Sequence, residues 1–323
     1  KNQTNTGVAY VFQRNGALWV QTAKLYPHDP HRAAEFGKSV AIDDQGLYVA
    51  VGTFQGDSST VQGSGNAYVF YRSTDSWGDD HWTELPTILE ANNPGPDDKF
   101  GSAIAMDPTG NWIVVGAYAC CNAINDPTRG AAYVFRRDGE GASARYSFVQ
   151  QLEVPPQDVQ RFAQFGQFLA VSDDALTVAV GAMFQDDTGV NGQKLKHAGA
   201  VFVWGRTHAS TPSFTYEQTL RATSPASYAL FGCGISISSG RMAIGARNHD
   251  ANRARMLAAG VVFMFQYDAT RALGSRWFNP LTSPDFVRPD VSVSSDRFGH
   301  AVALSDTWLY VGGYDSARTT SAK

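Results

Sequence analysis

Aspartate side chains in polar segments are the groups in this chain best suited to binding a ligand. Two adjacent pairs lie in short turns, Asp43-Asp44 and Asp173-Asp174. Calcium takes six to eight oxygen ligands, so two neighbouring carboxylates are too few to surround an ion. Longer polar segments carry further aspartates, which we expect to give one surface an acidic, partner-binding character: Asp57, Asp126, Asp186, Asp187 and Asp250. The sequence therefore predicts no metal site and no cofactor.

The chain lacks the residue spacings that catalytic sites require. Its seven histidines form no HxH or HExxH pattern, and no Gly-x-Ser-x-Gly elbow or Walker loop occurs. A glycosidase needs a pair of carboxylates converging on one bond, whereas the apolar runs carry no Asp or Glu at alternating positions and Glu35 has no matching partner. We therefore expect a non-catalytic protein. Carboxylates supplied by loops leave a channel-site glycosidase or lyase open as an alternative.

Cysteine use is sparse, with three thiols and no disulfide framework. Cys120 and Cys121 are adjacent, and the sequence leaves three states open for them: a disulfide between the two, two loop thiols, or one of them in an intermolecular bridge. Cys233 follows an apolar Phe-Gly pair, a setting typical of a small buried side chain. Asn2 opens an Asn-Gln-Thr triplet and is a candidate glycosylation acceptor.

Charge and hydropathy exclude two classes of partner. The net charge is −4 and the basic residues do not cluster, so the sequence predicts no nucleic-acid partner. No apolar stretch approaches the length of a membrane-spanning helix. The apolar fraction of 43% is enough for a large packed core.

A repeat of 64 to 67 residues organises the chain. A Phe-Gly pair occurs five times, as Phe36-Gly37, Phe100-Gly101, Phe165-Gly166, Phe231-Gly232 and Phe298-Gly299. Each is followed by a Val-Gly or Ile-Gly pair, whose glycines are Gly52, Gly116, Gly181, Gly245 and Gly312. A third apolar motif starts at Gly7, Gly65, Gly130, Gly199 and Gly260. Self-similarity at a fixed period is the signature of a repeat architecture.

Each repeat predicts four strands. In the second full repeat these are residues 100–106, 112–117, 131–135 and 146–152. Apolar character falls from the first strand to the fourth, which predicts a central first strand and a peripheral fourth strand. Four antiparallel strands per repeat are typical of a β-propeller blade.

These motifs resemble the FG-GAP repeat, the unit of integrin α-subunit-type β-propellers. The resemblance rests on Phe-Gly-x-Ser-Val-Ala-Ile, Val-Ala-Val-Gly and Gly-x-Ala-Tyr-Val-Phe, and is greatest to the variant that lacks the calcium loop. That variant occurs in secreted or surface proteins, so the resemblance implies an extracellular or cell-surface location. It also implies a role in protein–protein contact, although one fold hosts many activities.

The phase of the repeat predicts how the fold closes. The chain begins with a third and a fourth strand and ends with a first and a second. We expect one all-β domain over residues 1–323, a five-bladed propeller of four-stranded antiparallel blades. Its last blade would be shared between residues 1–25 and 298–314, and pairing the terminal strands would remove two open sheet edges.

Loop lengths predict a binding face. The turns between first and second strands are short, whereas the loops from second to third strand and from fourth strand to the next Phe-Gly are long. In an up-and-down blade, the loops of both these classes emerge on the same face, where a partner would dock. The residue after each Phe-Gly pair differs in every copy and is expected near a channel mouth on that face: Lys38, Ser102, Gln167, Cys233 and His300.

Three functions remain open from the sequence. The first is a non-catalytic extracellular propeller that contacts a protein partner in adhesion or in a surface assembly. The second is a propeller lectin, since tryptophans are plentiful, although their positions differ between repeats and five equivalent sugar sites are not encoded. The third is the channel-site glycosidase or lyase.

Overall fold

A computed structural model of the chain describes residues 6–29, 34–120, 129–189, 191–208, 211–250, 258–281, 285–289 and 295–314. Over these residues the protein is all-β, with two 3-10 turns at Gly141–Ser143 and Pro156–Asp158. Two compact units divide the chain, Lys1–Glu153 and Val154–Lys323. The single domain over residues 1–323 stays a prediction.

The first unit holds one two-stranded and two four-stranded sheets. The two-stranded sheet pairs β1 (Ala9–Asn15) with β2 (Leu18–Leu25). Sheet 1 has the order β3 (Ser39–Ile42), β4 (Tyr48–Thr53), β5 (Asn66–Thr74) and β6 (Asp80–Glu84). Sheet 2 has the order β7 (Phe100–Met106), β8 (Trp112–Ala117), β9 (Ala131–Asp138) and β10 (Arg145–Leu152).

The second unit repeats this plan. Sheet 3 has the order β11 (Phe168–Val171), β12 (Thr177–Ala182), β15 (Ala200–Gly205) and β16 (Thr215–Leu220), and the hairpin of β13 (Asp187–Thr188) with β14 (Lys194–Leu195) extends from its β12–β15 loop. Sheet 4 has the order β17 (Phe231–Ser238), β18 (Arg241–Ala246), β19 (Val261–Tyr267) and β20 (Trp277–Phe278). The last pair is β21 (Ala301–Leu304) with β22 (Leu309–Gly312).

The four-stranded meanders confirm the antiparallel all-β repeat. In sheet 2 the observed β7 and β8 have the predicted bounds, and β9 and β10 differ from prediction by three residues or fewer at one end each. The alternation of apolar side chains and the Gly-containing turns therefore carried enough information to place these strands.

The predicted burial order is wrong for the first strand of sheets 1 to 3. In β4 and β8 every residue is buried, whereas β7 and β11 are largely half-buried and β3 alternates between half-buried and exposed residues. In sheet 4 the first strand, β17, is largely buried as predicted. The first strand lies at an edge of each sheet and has a hydrogen-bonded neighbour on one side only. The second strand lies inside the sheet, so it loses more contact with water.

The phenylalanine of the Phe-Gly pair is the aromatic centre of each complete sheet. Phe100 is fully buried and packs against Tyr133 and Phe135 of β9, with ring centroids 5.3 and 6.1 Å apart. The same triplet recurs in the other sheets as Phe36–Tyr68–Phe70, Phe165–Phe202–Trp204 and Phe231–Phe263–Phe265. Burial of such a ring contributes a few kcal/mol to stability.

The two-stranded sheets bury far less. Tyr10 and Phe12 of β1 are 49% and 52% exposed, whereas the equivalent side chains Tyr68 and Phe70 of β5 are 2% and 4% exposed. Tyr310 of β22 is 66% exposed. The sheets β1–β2 and β21–β22, called half-sheets below, thus expose apolar side chains to solvent that are buried at the equivalent positions of a complete sheet.

Candidate functional site: the variable loops and the strand starts

One backbone hydrogen bond closes the base of the loop between second and third strands. In sheet 1 the Gly65 amide donates to the Gly56 carbonyl at 2.8 Å. The bond recurs at the equivalent positions of the other sheets, from Gly130 to Cys120, from Gly199 to Gln185 and from Gly260 to His249. The loops differ in length, but the same backbone hydrogen bond joins the beginning and the end of each loop in every complete sheet.

An aspartate side chain adds a second closure in three of these loops. Asp57 accepts the Gly63 amide at 2.8 Å through Oδ1. In the equivalent position, five residues after the Val-Gly or Ile-Gly glycine, Asp186 accepts the His197 amide at 2.8 Å and Asp250 accepts the Ala258 amide at 2.9 Å. Each donor lies two residues before the glycine that starts the third-strand motif. These carboxylates hold their own loops together.

Asp186 and Asp187 are the most heavily engaged of the predicted acidic residues. Lys194 donates to Asp186 at 2.8 Å, and Arg221 lies 3.2 Å from Asp187. Burial alone would raise the pKa of Asp186, but the hydrogen bonds from Lys194 and the His197 amide outweigh it and hold that pKa below its usual value. The negative charge is therefore stabilised and largely compensated inside the loop.

The acidic residues do not lie as a set of unpaired carboxylates on the surface. Asp57, Asp186, Asp187 and Asp250 are all half-buried and accept hydrogen bonds from their own loops. Asp126 lies outside the described residues. Within the described parts of these loops, the exposed positions are neutral or basic instead: Ser59, Thr60, Gln62, Thr188, Asn191, Gly192, Gln193, Lys194 and Lys196.

The strand starts have a repeated backbone conformation. The residue before each Phe-Gly pair has a positive φ although none of the five is glycine: Glu35, Lys99, Gln164, Leu230 and Arg297. A positive φ costs a non-glycine residue about 1–2 kcal/mol. Since this conformation occurs in all five copies, it belongs to the architecture of the turn into the first strand.

The two predicted channel-mouth residues of the first unit have different surroundings. Lys38 is exposed, and its ammonium lies 5.0 Å from the centroid of the Phe54 ring. The ammonium of Lys99 lies 5.5 Å from the same centroid. Ser102 is half-buried and donates to the Gly116 carbonyl at 3.2 Å. Lys38 is therefore the accessible group of the pair.

The three residues of the second unit are more enclosed. Cys233 is fully buried, and burial raises the pKa of its thiol to about 11. Gln167 is half-buried. His300 is half-buried and accepts from Arg247 at 3.0 Å, and burial together with the charges of Arg247 and Arg297 lowers its pKa. Of the three, His300 is a neutral acceptor and Cys233 is closed to reagents.

The short turns use their polar residues as caps. Asp43 accepts the amides of Leu47 and Tyr48 at 2.7 and 2.9 Å, and Asp107 accepts the Trp112 amide at 2.6 Å. Serines replace them at this position in the later repeats, where Ser172 accepts the Thr177 amide at 2.9 Å. Within the described part of the chain, no group of three or more His, Cys, Asp or Glu residues could hold a metal ion.

The remaining predicted residues are two cysteines and a candidate glycosylation site. Cys120 is disulfide-bonded and buried, and its sulfur lies 3.1 Å from the Tyr133 hydroxyl. Cys121 and Asn2 lie outside the described residues, so the pairing of Cys120 with Cys121 and the glycosylation of Asn2 stay predictions. No helix in the described ranges is both long and apolar enough to cross a membrane.

Sequence reasoning missed the structural task of the loop aspartates. Their constant distance from the preceding glycine is visible in the sequence, and a residue that keeps its register while the loop length varies is typical of a scaffold position. Composition alone had suggested a ligand-binding acid.

The internal repeat matches a known family. The family model of the FG-GAP repeat matches residues 19–70 and 82–135. Each matched segment begins in a fourth strand and ends in the third strand of the next sheet, which is the phase of the internal repeat. A comparison with curated proteins finds no match.

Proposed function

We propose that this FG-GAP repeat protein is a non-catalytic, extracellular or cell-surface interaction module, which binds a protein partner through the tips of its second-to-third-strand loops. FG-GAP repeats are typical of integrin-like propeller domains that contact other proteins. The observation that carries the proposal is the constant loop base, closed by a backbone hydrogen bond and in three loops by an aspartate.

Loops that combine a constant base with a variable tip are suited to recognising a partner. Binding residues are found disproportionately on loops that a rigid scaffold positions. A loop fixed at its base loses less conformational entropy on binding than a free one, which leaves more of the interaction energy as affinity. The tips also differ in length and sequence between repeats, so they can provide unlike contacts to one asymmetric partner.

The proposed whole is a closed five-bladed propeller. In every complete sheet a second strand pairs with a third strand, whereas β22 is a second strand and β1 is a third strand without such a partner among the described residues. The exposed Tyr10, Phe12 and Tyr310 are the side chains that this pairing would cover. Closure would give the loops of all repeats a common rim.

Loop-tip variants test the proposal. A partner is captured on the immobilised full chain from a cell-surface extract, and its contacts are mapped by crosslinking and mass spectrometry. The double variants T60R/Q62R and N191R/Q193R place charge on exposed tips, and at least one should weaken binding about tenfold or more because interface energy concentrates in few residues. The interface should bury at least about 1,000 Å².

Matched controls lie on the short turns. Gln45 and Thr109 are exposed, and Q45R and T109R should leave affinity unchanged. Loss of binding in these controls, with full binding in the tip variants, would place the interface on the short-turn side and overturn the proposal.

A further inference from the structure

A cavity of about 480 Å³ opens between sheets 3 and 4 of the second unit. It lies at the short-turn ends of the strands, away from the second-to-third-strand loops. Its lining includes Thr177, Glu217, Tyr267, Arg276 and Trp277. This volume falls within the range of small-molecule binding sites.

The equivalent space between sheets 1 and 2 is plugged by aromatic rings. Tyr48 and Tyr71 pack with ring centroids 5.2 Å apart, and the Arg137 guanidinium lies 4.2 Å from the Tyr48 ring. The cavity that remains there measures about 280 Å³. In sheet 3 the residues at the positions of Tyr48 and Tyr71 are Thr177 and Gly205. The larger cavity thus follows from the absence of two tyrosine rings.

In sheet 3 a carboxylate lies in the space that two tyrosine rings fill in sheet 1. Glu217 lies directly over Gly205, where any Cβ atom would overlap the Glu217 carboxylate. Arg276 is 3.4 Å from that carboxylate. Burial raises the pKa of Glu217, and the Arg276 charge only partly opposes this rise. A half-buried carboxylate with a single long ion pair has remaining capacity to accept hydrogen bonds.

The opposite wall is aromatic and rigid. Tyr267 and Trp277 pack with centroids 5.3 Å apart. Gln218 fixes the Trp277 backbone from both sides, since its Oε1 accepts the Trp277 amide at 3.1 Å and its Nε2 donates to the Trp277 carbonyl at 2.9 Å. The wall is therefore tied to sheet 3 across the cavity.

The other charged groups of the lining have internal partners. Asp173 accepts the Ser239 amide at 3.0 Å, Asp174 accepts the Leu176 amide at 2.9 Å, and Arg206 donates to the Ala175 carbonyl at 2.8 Å. Glu217 and Arg276 then stand as the acceptor and the donor that a ligand would meet, beside an aromatic surface.

We infer that this cavity is a binding site for a neutral polyhydroxylated ligand, a mono- or disaccharide. Hydroxyl groups both donate, to Glu217, and accept, from Arg276, while the apolar face of a sugar ring packs on Tyr267. A ligand of either single charge would meet one of these two groups with the same sign. The site is independent of the partner-binding loops.

Ligand-observed NMR on the full chain tests the site. The probes are D-glucose, D-galactose, D-mannose, N-acetyl-D-glucosamine and lactose at millimolar concentration, with putrescine and inorganic phosphate as charged probes. At least one sugar should bind, and neither charged probe should compete with it.

Two variants locate the binding. T177Y restores one ring of the first unit's plug without placing a Cβ atom against the Glu217 carboxylate, and should abolish the signal. E217Q keeps the packing but removes the charged acceptor, and should weaken binding about tenfold. E140Q makes the same change beside the smaller cavity and should have no effect. Amide spectra of each variant confirm that it is folded.

Three results would overturn the inference. The first is the absence of binding by every sugar in the panel. The second is equal sugar affinity in the unmodified chain and in the folded T177Y and E217Q variants. The third is binding of putrescine or phosphate that displaces the sugar.

Discussion

At the residue scale, the loop aspartates show how one side chain can be acidic, half-exposed and yet structural. A carboxylate that accepts a backbone amide closes a loop more strongly than a neutral acceptor would, because hydrogen bonds to charged groups contribute more. Asp57, Asp186 and Asp250 do this at one position of the repeat. The proposed partner contact would therefore fall to the neutral and basic tips.

Asp186 gives the first prediction. Replacing it with Asn preserves its size but removes the ion pair with Lys194 and weakens the bond from His197. We expect D186N to lower the free energy of unfolding by about 1–2 kcal/mol at pH 7. Urea melts of the variant and the unmodified chain measure this.

The pH dependence follows from the direction of the pKa shift. Since the pKa of Asp186 is lowered in the folded state, its contribution is fully present above the ordinary value of 3.8 and is lost as the pH falls through the folded pKa. D186N should therefore lose less stability than the unmodified chain between pH 5 and acid near pH 2. D44N, a change at an exposed short-turn residue, is the control at pH 7 and should change the free energy of unfolding by no more than about 0.5 kcal/mol. A parallel acid loss in D186N and the unmodified chain would contradict the assigned role.

At the element scale, the glycine that starts each third-strand motif permits a close backbone approach. Gly65 has a φ of 87° and forms a parallel bridge with Phe100, and a Cβ atom there would overlap the Phe100 backbone. The same contact occurs at Gly7, Gly199 and Gly260. It joins the third strand of one repeat to the Phe-Gly pair of the next.

A matched glycine pair tests this junction. Gly63 also has a positive φ of 69° but has no atom within 4 Å of a Cβ position. G63A should cost about 1–2 kcal/mol, the cost of a left-handed conformation. G65A adds a steric overlap with backbone and should cost at least about 2 kcal/mol more, by the scale of overpacking penalties. An equal decrease of the melting temperature in G63A and G65A would show that the backbone at this junction accommodates a Cβ atom at no extra cost, and would contradict the predicted overlap.

The sequence predicted the elements better than their surroundings. Strands β7 and β8 have their predicted bounds because apolar alternation and turn residues are local signals. The burial of the first strands of sheets 1 to 3 was overestimated because their apolar composition does not show how far the free edge of each strand is covered. The cavity between sheets 3 and 4 was also missed, since it follows from two absent rings, at Thr177 and Gly205, on neighbouring strands.

At the scale of the whole molecule, the complete sheets define a register for the two half-sheets. The second and third strands of sheet 1 pair Gly52 with Ala67, Val51 with Tyr68 and Ala50 with Val69. Sheet 2 repeats this register with Gly116 and Ala132, Val115 and Tyr133, and Val114 and Val134. In the proposed closed ring, the same register would pair Gly312 with Ala9, Val311 with Tyr10 and Tyr310 with Val11.

A cysteine crosslink tests the closed ring at the level of single residues. In the double variant V11C/Y310C the two thiols would face each other on one side of the completed sheet, where directly opposed Cβ atoms lie about 4.5–5.5 Å apart, near disulfide distance. Mild oxidation should give an intrachain disulfide, detected by peptide mapping and by faster migration on a non-reducing gel.

In V11C/L309C the second thiol would point to the opposite face, because a one-residue shift reverses the side chain, and this control should remain reduced. Covalent dimers through residues 11 and 310 would mean that the terminal strands pair between chains, and equal crosslinking of both variants would mean that the ends meet without fixed register. Covalent dimers would overturn closure within one chain, whereas equal intrachain crosslinking would overturn only the transferred register; both leave the four complete sheets as they are.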